Sequence, residues 1–400
     1  MPATRVRVAI VGSGDAAHRH YLEPLRALAA RAEIVGCCDR TLAKAERLAA
    51  AARGFSPDAV PFDRLDEMLG RVHPDAVFNL TPAPFHAQVT SECLAARAHV
   101  YTEKPIAASI ADADRLIGEA ARAGVLLMSA PASAVPRQVR WLRDVIDSGR
   151  LGRPTLVVAR CASMGPADWA EYTGDPSVFY GSGVGPVFDI GIYRLHEMTA
   201  LLGPVRRVAA MAAISIPERT ITGGPRAGRT VTVTAPDHVL MTTEFASGAL
   251  GQLLSSFAVP ATQAPWLEIH LTEGSISLAG DQFAGDGAVG VFLRDGGHGR
   301  EDAEFGSGPL EESILHAGGD PRGPGWHHGL TPPPPPDKFP IIGRGVEHFL
   351  ACASGTERPV LTPEHARHVL EIVLLAYESI ADGRARDLET TFWSEAGTPP

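Results

Sequence analysis

A lysine followed by a proline, in the segment Tyr101–Pro105, is the part of this sequence best suited to acid–base chemistry. Lys104 follows an apolar run that is typical of a buried strand, so we expect its amine at the carboxyl end of a parallel sheet, where open α/β sheets bind ligands. Partial burial there can weaken the hold of the amine on its proton, which suits it to act as an acid or base near neutral pH. Pro105 removes a backbone donor and fixes φ, which stiffens the chain that carries the amine. The alternative interpretation is an ordinary turn at the surface.

A second group of chemically capable side chains lies within Gly185–His196. Asp189, Tyr193 and His196 have the spacing i, i+4, i+7, so an α-helix would place them on one face. A carboxylate, a phenol and an imidazole on one face can position a hydroxyl group and share its proton. The neighbouring stripe is apolar and should face the core; it consists of Phe188, Ile192, Leu195 and Leu202. A buried hydrogen-bond network without chemistry is the alternative.

The elements that must position these side chains begin with a strand and a glycine turn. Val6–Val11 is a short apolar run of the kind found in buried parallel strands. The turn that follows has the pattern G-x-G-x-x-A and consists of Gly12, Ser13, Gly14, Asp15, Ala16 and Ala17. Gly12 permits a tight turn and Gly14 lets the backbone approach a pyrophosphate, which the N-terminus of the next helix would face.

An acidic residue follows the second strand of this region. Glu33–Cys38 is the strand, and the carboxylate of Asp39 can accept hydrogen bonds from both hydroxyl groups of an adenosine ribose. The order strand, glycine turn, helix, strand and acid predicts a dinucleotide-binding Rossmann unit. Asp39 favours NAD because a carboxylate repels the 2′-phosphate of NADP. Arg40 and Lys44 complicate the choice, because Arg40 could receive the phosphate of NADP or stack on adenine; the alternative for both is a solvated helix start.

A proline-rich loop follows the next predicted strand, Asp75–Leu80. Its residues Thr81 and Pro82 are expected to form a rigid wall beside the nicotinamide ribose. We expect His86 mainly to cap or pack at the start of the following helix, with a catalytic role as the minority interpretation.

The pattern changes after Ser129, and we predict two domains: residues 1–130 bind NAD(P), and residues 131–400 bind substrate and form oligomers. Six β-rich runs predict a large, mostly antiparallel open sheet in an α+β domain. They are Thr155–Ser163, Val205–Ser215, Thr230–Thr234, His238–Phe245, Ala249–Val259 and Trp266–Thr272. Residues 280–340 are rich in glycine and then proline, which indicates a binding or subunit-contact loop or a mobile insertion.

Composition narrows the class of protein. The formal net charge of −10 argues against nucleic acid as the main partner. No apolar run is long enough to cross a bilayer, and the first residues lack a signal-peptide pattern. The five cysteines form no Cys-x-x-Cys pair and no metal spacing, so we predict reduced, mostly buried thiols and no metal site. These features predict a soluble, cytoplasmic protein.

Taken together, the motifs resemble the Gfo/Idh/MocA family, named for glucose-fructose oxidoreductase and inositol dehydrogenase. The resemblance spans nearly the whole chain and depends on Gly12–Ala17, Thr81-Pro82 with His86, Tyr101–Pro105 and Gly185–Tyr193. It implies an N-terminal Rossmann domain and a C-terminal α/β domain whose open sheet commonly makes homodimers or homotetramers. It also implies hydride transfer between NAD(P) and a hydroxyl or ketone of a sugar, cyclitol or related compound.

The resemblance also implies roles for individual residues. Lys104 matches the catalytic lysine, Asp189 the acidic member of the helix motif, and Tyr193 the proton donor or acceptor; with His196 they would contact the substrate. The expected cofactor contacts are Gly12, Ser13, Gly14, Asp15, Ala16, Asp39, Arg40, Thr81, Pro82, His86, Glu103 and Lys104. Two positions depart from the family: Ala83 stands where many members carry asparagine, and His196 where many carry aspartate.

Three other functions stay open. An enzyme could hold NAD tightly and recycle it while it eliminates or hydrolyses a glycoside. A nucleotide-sensing regulator on the same fold would have no need for Lys104 and Tyr193, so their presence disfavours it. A dihydrodiol- or biliverdin-type reductase would differ only in substrate.

Overall fold

Two compact units make up the chain in the computed structural model, which describes residues 5–170, 172–181, 183–280, 289–294, 308–321, 323–332 and 337–392. The first unit consists of three segments: the chain up to Val135, Ile341–Glu371, and the segment that starts at Thr390. The second joins Pro136–Pro340 to Ile372–Glu389. This interleaved division differs from the predicted split at residue 130.

The first unit contains a six-stranded parallel sheet. Its strands are β1 (Val6–Val11), β2 (Ala32–Cys38), β3 (Val60–Phe62), β4 (Ala76–Asn79), β5 (His99–Thr102) and β6 (Leu127–Ser129). They lie in the order β3-β2-β1-β4-β5-β6, the doubly wound order of a Rossmann fold, as predicted. Strand order reverses between β1 and β4, so the carboxyl ends of these two strands flank the crevice where such sheets bind ligands.

Five helices connect these strands. They are α1 (Leu22–Ala27), α2 (Leu42–Ala52), α3 (Leu65–Val72), α4 (His86–Ala95) and α5 (Ile110–Ala123). The bounds of α5 follow from its capping residues: the Ser109 hydroxyl accepts a hydrogen bond from the Asp112 N–H at 3.1 Å, and Gly124 adopts a φ of +67° after the last turn.

The second unit contains a nine-stranded sheet and a separate two-stranded sheet. Its strands are β7 (Pro154–Ala162), β8 (Val205–Ala213), β9 (Glu218–Thr220), β10 (Thr230–Thr232), β11 (His238–Phe245), β12 (Leu250–Ser256), β13 (Leu267–Leu271), β14 (Gly274–Leu278), β15 (Val289–Leu293), β16 (Gly325–Leu330) and β17 (Arg386–Asp387). The large sheet has the order β16-β15-β14-β13-β7-β12-β11-β8-β17. Of its pairings, β7 with β12 is parallel and the others are antiparallel, which confirms the predicted mostly antiparallel open sheet. The run Thr230–Thr234 does not join this sheet, because β10 pairs with β9.

Part of the glycine- and proline-rich region is regular structure. The second unit has the helices α6 (Arg137–Asp147), α7 (Ile192–Leu202) and α8 (Pro309–His316). Within residues 280–340, α8, β15 and β16 are ordered elements, and β15 and β16 extend one edge of the sheet. The side chains of Val289, Val291 and Leu293 are buried, which explains why a strand forms here although the surrounding sequence is rich in glycine. The prolines 333–336 lie outside the described residues.

Two C-terminal helices follow, α9 (Ile341–Ala353) and α10 (Pro363–Asp382). The Phe349 ring of α9 lies 5.2 Å from the Phe78 ring of β4 and 5.6 Å from the Tyr101 ring of β5, measured between centroids. A Cβ on Gly345 would lie 2.5 Å from the Tyr101 hydroxyl, so α9 packs closely on this sheet. These aromatic contacts place α9 in the first unit.

The cysteine prediction is confirmed in that all five cysteines, which lie among the described residues, are buried and none is in a disulfide. Burial raises the pKa of the Cys37 and Cys38 thiols to about 12. Among the described residues, the helices are too short or too polar for any of them to traverse a lipid bilayer.

Candidate functional site

The glycine turn joins β1 to a π-helical turn, Ala17–Tyr21, that leads into α1. Gly12 has a φ of +94°, and a Cβ on it would lie 2.5 Å from the Leu80 carbonyl oxygen. Its N–H donates to the Cys38 carbonyl at 2.8 Å. Gly14 has open space where a Cβ would be. The turn therefore requires glycine at position 12 to close, while Gly14 leaves the backbone open to a ligand.

Asp39 follows β2 and lies beside the glycine turn, as predicted. Its Oδ2 accepts a hydrogen bond from the Ser13 N–H at 3.1 Å, and its Oδ1 accepts one from the Thr41 N–H at 2.9 Å. These two bonds fix the carboxylate at the end of the strand, where the ribose of a dinucleotide binds in Rossmann folds. Asp15 and Ala16 directly follow Gly14, at the start of the helical segment.

A cleft of about 440 Å³ opens beside Gly12 and Asp39. Its opposite wall is the loop after β4, from which Thr81, Pro82 and Phe85 face the cleft. Arg40 also lines it, and its guanidinium lies 4.5 Å from the centroid of the Phe85 ring, a cation–π contact. The size and the largely apolar walls are typical of a small-molecule or cofactor site.

Asn79 orders the loop that forms this wall. It is fully buried at the end of β4, and its Nδ2 donates to the His86 carbonyl at 3.1 Å and to the Thr90 hydroxyl at 3.0 Å. Its Oδ1 accepts from the Thr81 hydroxyl at 2.7 Å. Sequence reasoning missed Asn79, although a lone amide at the end of an apolar strand was a usable signal.

His86 is buried at the start of α4, and its ring lies between two loops. Nδ1 is 2.7 Å from the Pro105 carbonyl oxygen, and Nε2 is 2.7 Å from the Thr81 carbonyl oxygen. The predicted cofactor contact by the His86 ring does not match this placement, because both ring nitrogens face backbone carbonyl groups. Packing at the helix start, which the sequence favoured, is what the structure shows.

Lys104 lies two residues beyond β5 and is half-buried, at the carboxyl end of the strand as expected. The neighbouring Glu103 carboxylate accepts from the Tyr21 hydroxyl at 2.6 Å and from the Lys104 N–H at 3.1 Å. Glu103 therefore holds the backbone that carries the lysine. Burial of the adjacent Tyr101 raises the pKa of its phenol, which keeps that side chain neutral in the core.

The polar triple of the second unit lies on a segment that is not a regular α-helix. Val187–Gly191 forms a π-helix, and α7 begins at Ile192. Because a π-helix bonds residue i to i+5, the α-helical rule does not place Asp189 and Tyr193 on one face. Asp189 and His196 are 7% and 3% exposed, and Tyr193 is half-buried. The prediction of one shared α-helical face thus had the wrong helix geometry for the first turn.

Two glycines let this segment approach its neighbours. A Cβ on Gly191 would lie 2.7 Å from the Ser255 hydroxyl of β12. Gly185 has a φ of +76°, and a Cβ on it would lie 2.8 Å from the Pro236 carbonyl oxygen. The two glycines therefore let the backbone of this segment lie close to the Ser255 side chain of β12 and to the Pro236 carbonyl group just before β11.

Tyr377 of α10 also holds this segment. Its hydroxyl donates to the Val184 carbonyl at 2.7 Å, and its ring stacks on the Phe188 ring with centroids 5.6 Å apart. Burial raises the pKa of Tyr377 to about 12, so its phenol is a hydrogen-bond donor at neutral pH.

A buried ion pair lies on α7 next to the predicted site residues. Arg194 and Glu197 are 2% and 3% exposed and form a salt bridge, and the Arg194 guanidinium lies 4.3 Å from the Trp266 ring centroid. Burial raises the pKa of the Glu197 carboxyl to about 7 despite the opposing effect of Arg194. Such a pair contributes less to stability than its attraction alone suggests, because both charges lose their hydration.

Comparison with known proteins connects this architecture to one family. Residues 6–130 match the family model described as the oxidoreductase family, NAD-binding Rossmann fold, of the Gfo/Idh/MocA proteins. Residues 139–277 match the Gfo/Idh/MocA C-terminal domain. The chain belongs to the Gfo/Idh/MocA family. This membership confirms the resemblance drawn from the four motifs and makes the protein an NAD-binding oxidoreductase.

Two relatives of this chain carry names that refer to sugar substrates. A D-glucoside 3-dehydrogenase of Escherichia coli is 29% identical over 265 residues, which cover 65% of this chain and 72% of the relative. A dTDP-3,4-didehydro-2,6-dideoxy-alpha-D-glucose 3-reductase of Streptomyces antibioticus is 28% identical and covers 68% of this chain and 82% of the relative. The fold is shared with the WlbA dehydrogenase from Chromobacterium violaceum, solved with NADH and UDP-GlcNAcA, at 19% identity, a TM-score of 0.71 and coverage of 97% and 98%.

The first unit of this Gfo/Idh/MocA protein fits an NAD molecule on three structural grounds. The backbone at Gly14 is open, so a pyrophosphate has room to approach it. The Asp39 carboxylate is fixed at the rim of the cleft, and the cleft extends from there to Thr81 and Pro82. These residues would hold the ribose, the phosphates and the nicotinamide side of the cofactor.

Proposed function

We propose that this protein transfers a hydride between NAD(P) and a hydroxyl or ketone group of a sugar, cyclitol or related carbohydrate. The observation that carries the proposal is the placement of Lys104, half-buried at the carboxyl end of β5, in the unit that contains the dinucleotide cleft. The sugar substrates named for the two relatives support the substrate class.

NAD, when bound, supplies the hydride acceptor for oxidation of the substrate. In that direction the Lys104 amine takes the proton of the substrate hydroxyl, directly or by relay with the Tyr193 phenol. Asp189 orients the sugar, and His196 contributes to substrate binding. Glu103 keeps the lysine backbone in place through its bond to the Lys104 N–H.

For the cofactor we propose NAD in preference to NADP. Two N–H groups hold the Asp39 carboxylate at the cleft, where it would repel a 2′-phosphate. Arg40 lies over the Phe85 ring, which leaves the guanidinium in the cleft and keeps NADP possible. Asp39→Ala should shift the ratio of kcat/KM values towards NADP.

We also propose a homodimer or homotetramer that forms through the large sheet. Met211 and Leu240 are 78% and 44% exposed and are cross-strand partners, and Leu250 of the same sheet is 55% exposed. Adjacent exposed apolar side chains on a sheet are typical of subunit contacts. Light scattering should show a smaller particle for Met211→Lys/Leu240→Lys than for the wild type. The net charge of −10 supports small-molecule rather than nucleic-acid partners, and a cytoplasmic location stays a prediction.

Nicotinamide absorbance tests the function. Purified protein is incubated with NAD or NADP and a panel of sugars, glycosides, cyclitols and their keto forms. Net reduction or oxidation of the nicotinamide with one member of the panel would support the proposed dehydrogenase. Tight cofactor binding without net turnover would contradict it and favour either a glycosidase that recycles NAD or a sensor, which a glycoside-cleavage assay separates.

A further inference from the structure

His86 joins the two loops that follow β4 and β5. Each of its ring nitrogens lies 2.7 Å from a backbone carbonyl oxygen, that of Pro105 for Nδ1 and that of Thr81 for Nε2. A carbonyl group can only accept a hydrogen bond, and a neutral imidazole carries one N–H. A neutral ring would therefore place one nitrogen lone pair against an oxygen at 2.7 Å. Both contacts are hydrogen bonds only when both nitrogens carry hydrogen.

The surroundings of His86 act in opposite directions on its charge. Burial has the largest effect and lowers the pKa of the ring below its usual value, and Lys104 acts in the same direction. The carbonyl groups of Pro105 and Thr81 and the Glu103 carboxylate raise it. Glu103 and Lys104 are the charged groups that act on the ring within the described residues. Two contacts of 2.7 Å have the length expected of charge-assisted bonds, so the geometry favours the charged form over the effect of burial.

We propose that His86 is a positioning residue of this enzyme, held as an imidazolium that ties the carbonyl group of Thr81 to that of Pro105. Thr81 lines the cofactor cleft, and Pro105 directly follows Lys104. The tie therefore sets the position of the Lys104 backbone relative to the wall of the cleft, within one unit. Its effect on turnover rests on the proposed function, whereas the charge of the ring does not.

The same unit contains a second buried histidine that provides a matched control. His348 of α9 is 4% exposed; its Nδ1 lies 2.9 Å from the Glu357 carboxylate, and its Nε2 accepts a hydrogen bond from the Val360 N–H at 3.0 Å. One nitrogen of this ring acts as an acceptor, so the ring carries a single N–H. The two histidines thus differ in charge although both are buried and bonded through both nitrogens.

Nitrogen NMR of the wild-type protein labelled with ¹⁵N-histidine tests the charge. We expect two N–H-type nitrogen signals for His86 at neutral pH, and one N–H-type and one bare-nitrogen signal for His348. His86→Phe and His348→Phe assign the signals, and slow exchange of two ring protons identifies His86 if its variant does not fold. A bare-nitrogen signal from His86 at pH 7 would overturn the proposal, whatever the substrate proves to be.

The same two variants test the positioning role. Both lose buried hydrogen bonds, so both should unfold at a lower temperature. We expect His86→Phe to lower kcat by about tenfold or more, with the Kd for NAD measured by calorimetry close to that of the wild type. His348→Phe should leave kcat near the wild-type value. Equal losses of kcat in the two variants would reduce His86 to a structural residue. The NMR experiment needs no substrate. It therefore distinguishes an error in the proposed function from an error in the proposed charge and bonding of His86.

Discussion

Two helical segments of this protein begin with a π-helical turn, Ala17–Tyr21 in the first unit and Val187–Gly191 in the second. The first follows the glycine turn. Gly12 allows this turn to close, and Gly14 leaves the backbone accessible to a ligand. The second carries buried side chains, among them Asp189. The comparison shows that the first segment follows a turn shaped by its glycines, whereas the second combines close glycine packing with a carboxylate held in the interior.

The second unit contains more buried charge than the region around the glycine turn. Arg194 pairs with Glu197, and Arg219 pairs with Asp237 at 2.8 Å with side chains 4% and 1% exposed. The Arg219 guanidinium also lies 5.2 Å from the centroid of the Tyr180 ring, in the core cluster that contains Ile190. Removing one member of such a pair leaves the other unpaired in the interior, so the second unit should respond strongly to changes of these charges.

The largest effect should come from Lys104. Lys104→Ala removes the proposed proton acceptor, so kcat should fall by about two to four orders of magnitude. Lys104→Arg should be almost as inactive, because a guanidinium keeps its proton at working pH. Steady-state kinetics with the substrate from the absorbance panel measures both, and turnover near the wild-type value in Lys104→Ala would remove the lysine from the mechanism.

Substitutions of the two glycines in the cofactor turn should distinguish the folding of the turn from its accessibility to NAD. Gly12→Ala places a Cβ 2.5 Å from the Leu80 carbonyl oxygen at a φ of +94°, so it should cost about 1–3 kcal/mol of unfolding free energy. Gly14→Ala meets open space, so stability should stay unchanged while NAD binding weakens by about tenfold. Urea unfolding and calorimetry check the pair. Unchanged NAD affinity in a stable Gly14→Ala would mean that the cofactor does not approach the backbone here.

Glu197 should make the stability of the second unit depend on pH. Burial raises the pKa of this carboxyl from 4.5 to about 7, so between these values the folded state binds a proton that the unfolded state has released. Stability conferred by the protonated form is present below pH 4.5 and declines as the pH rises to about 7. Glu197→Gln should flatten this part of the thermal-midpoint profile.

Glu268→Gln is the control for that profile, since it removes a half-buried carboxylate that pairs with Arg160 in the same unit. It should leave the slope between pH 4.5 and 7 as in the wild type. A slope that persists in Glu197→Gln would show that another group titrates in this window.

The smallest effect should come from Tyr377. Tyr377→Phe keeps the ring that stacks on Phe188 but loses the bond to the Val184 carbonyl, so unfolding should become easier by about 1 kcal/mol. Denaturant unfolding measures the change. A loss of several kcal/mol would indicate that the hydroxyl holds more of the π-helical segment than this one bond.

The cofactor region could be predicted from the sequence because its geometry demands particular residues at fixed positions. Only glycine tolerates the φ of Gly12, and the acid after β2 must follow the strand directly. The same reasoning located Lys104 beyond β5. Asn79 and the bridging ring of His86 could not be predicted in this way, because their partners are set by how two separate loops pack.

The second unit was harder to predict for a related reason. The π-helix at Val187–Gly191 depends on close packing of Gly191 against β12, which no local pattern reveals. The strand β16 pairs with β15, but it lies in a region whose many glycines and prolines indicate a loop and not a strand. The placement of α9 in the first unit depends on the contact of Phe349 with Phe78, which lies far away in sequence.

The last strand of the large sheet has a consequence for how the protein is made. Arg386 and Asp387 pair with β8, and the Ala210 N–H of β8 donates to the Ser379 hydroxyl of α10 at 3.0 Å. The first unit in turn draws on residues from Thr390 onward. Neither unit has all of its described chain until the ribosome has passed residue 386. A gene fragment that stops at residue 130 therefore encodes a Rossmann sheet without α9, and we expect an autonomous cofactor domain to need Ile341–Glu371 joined to it.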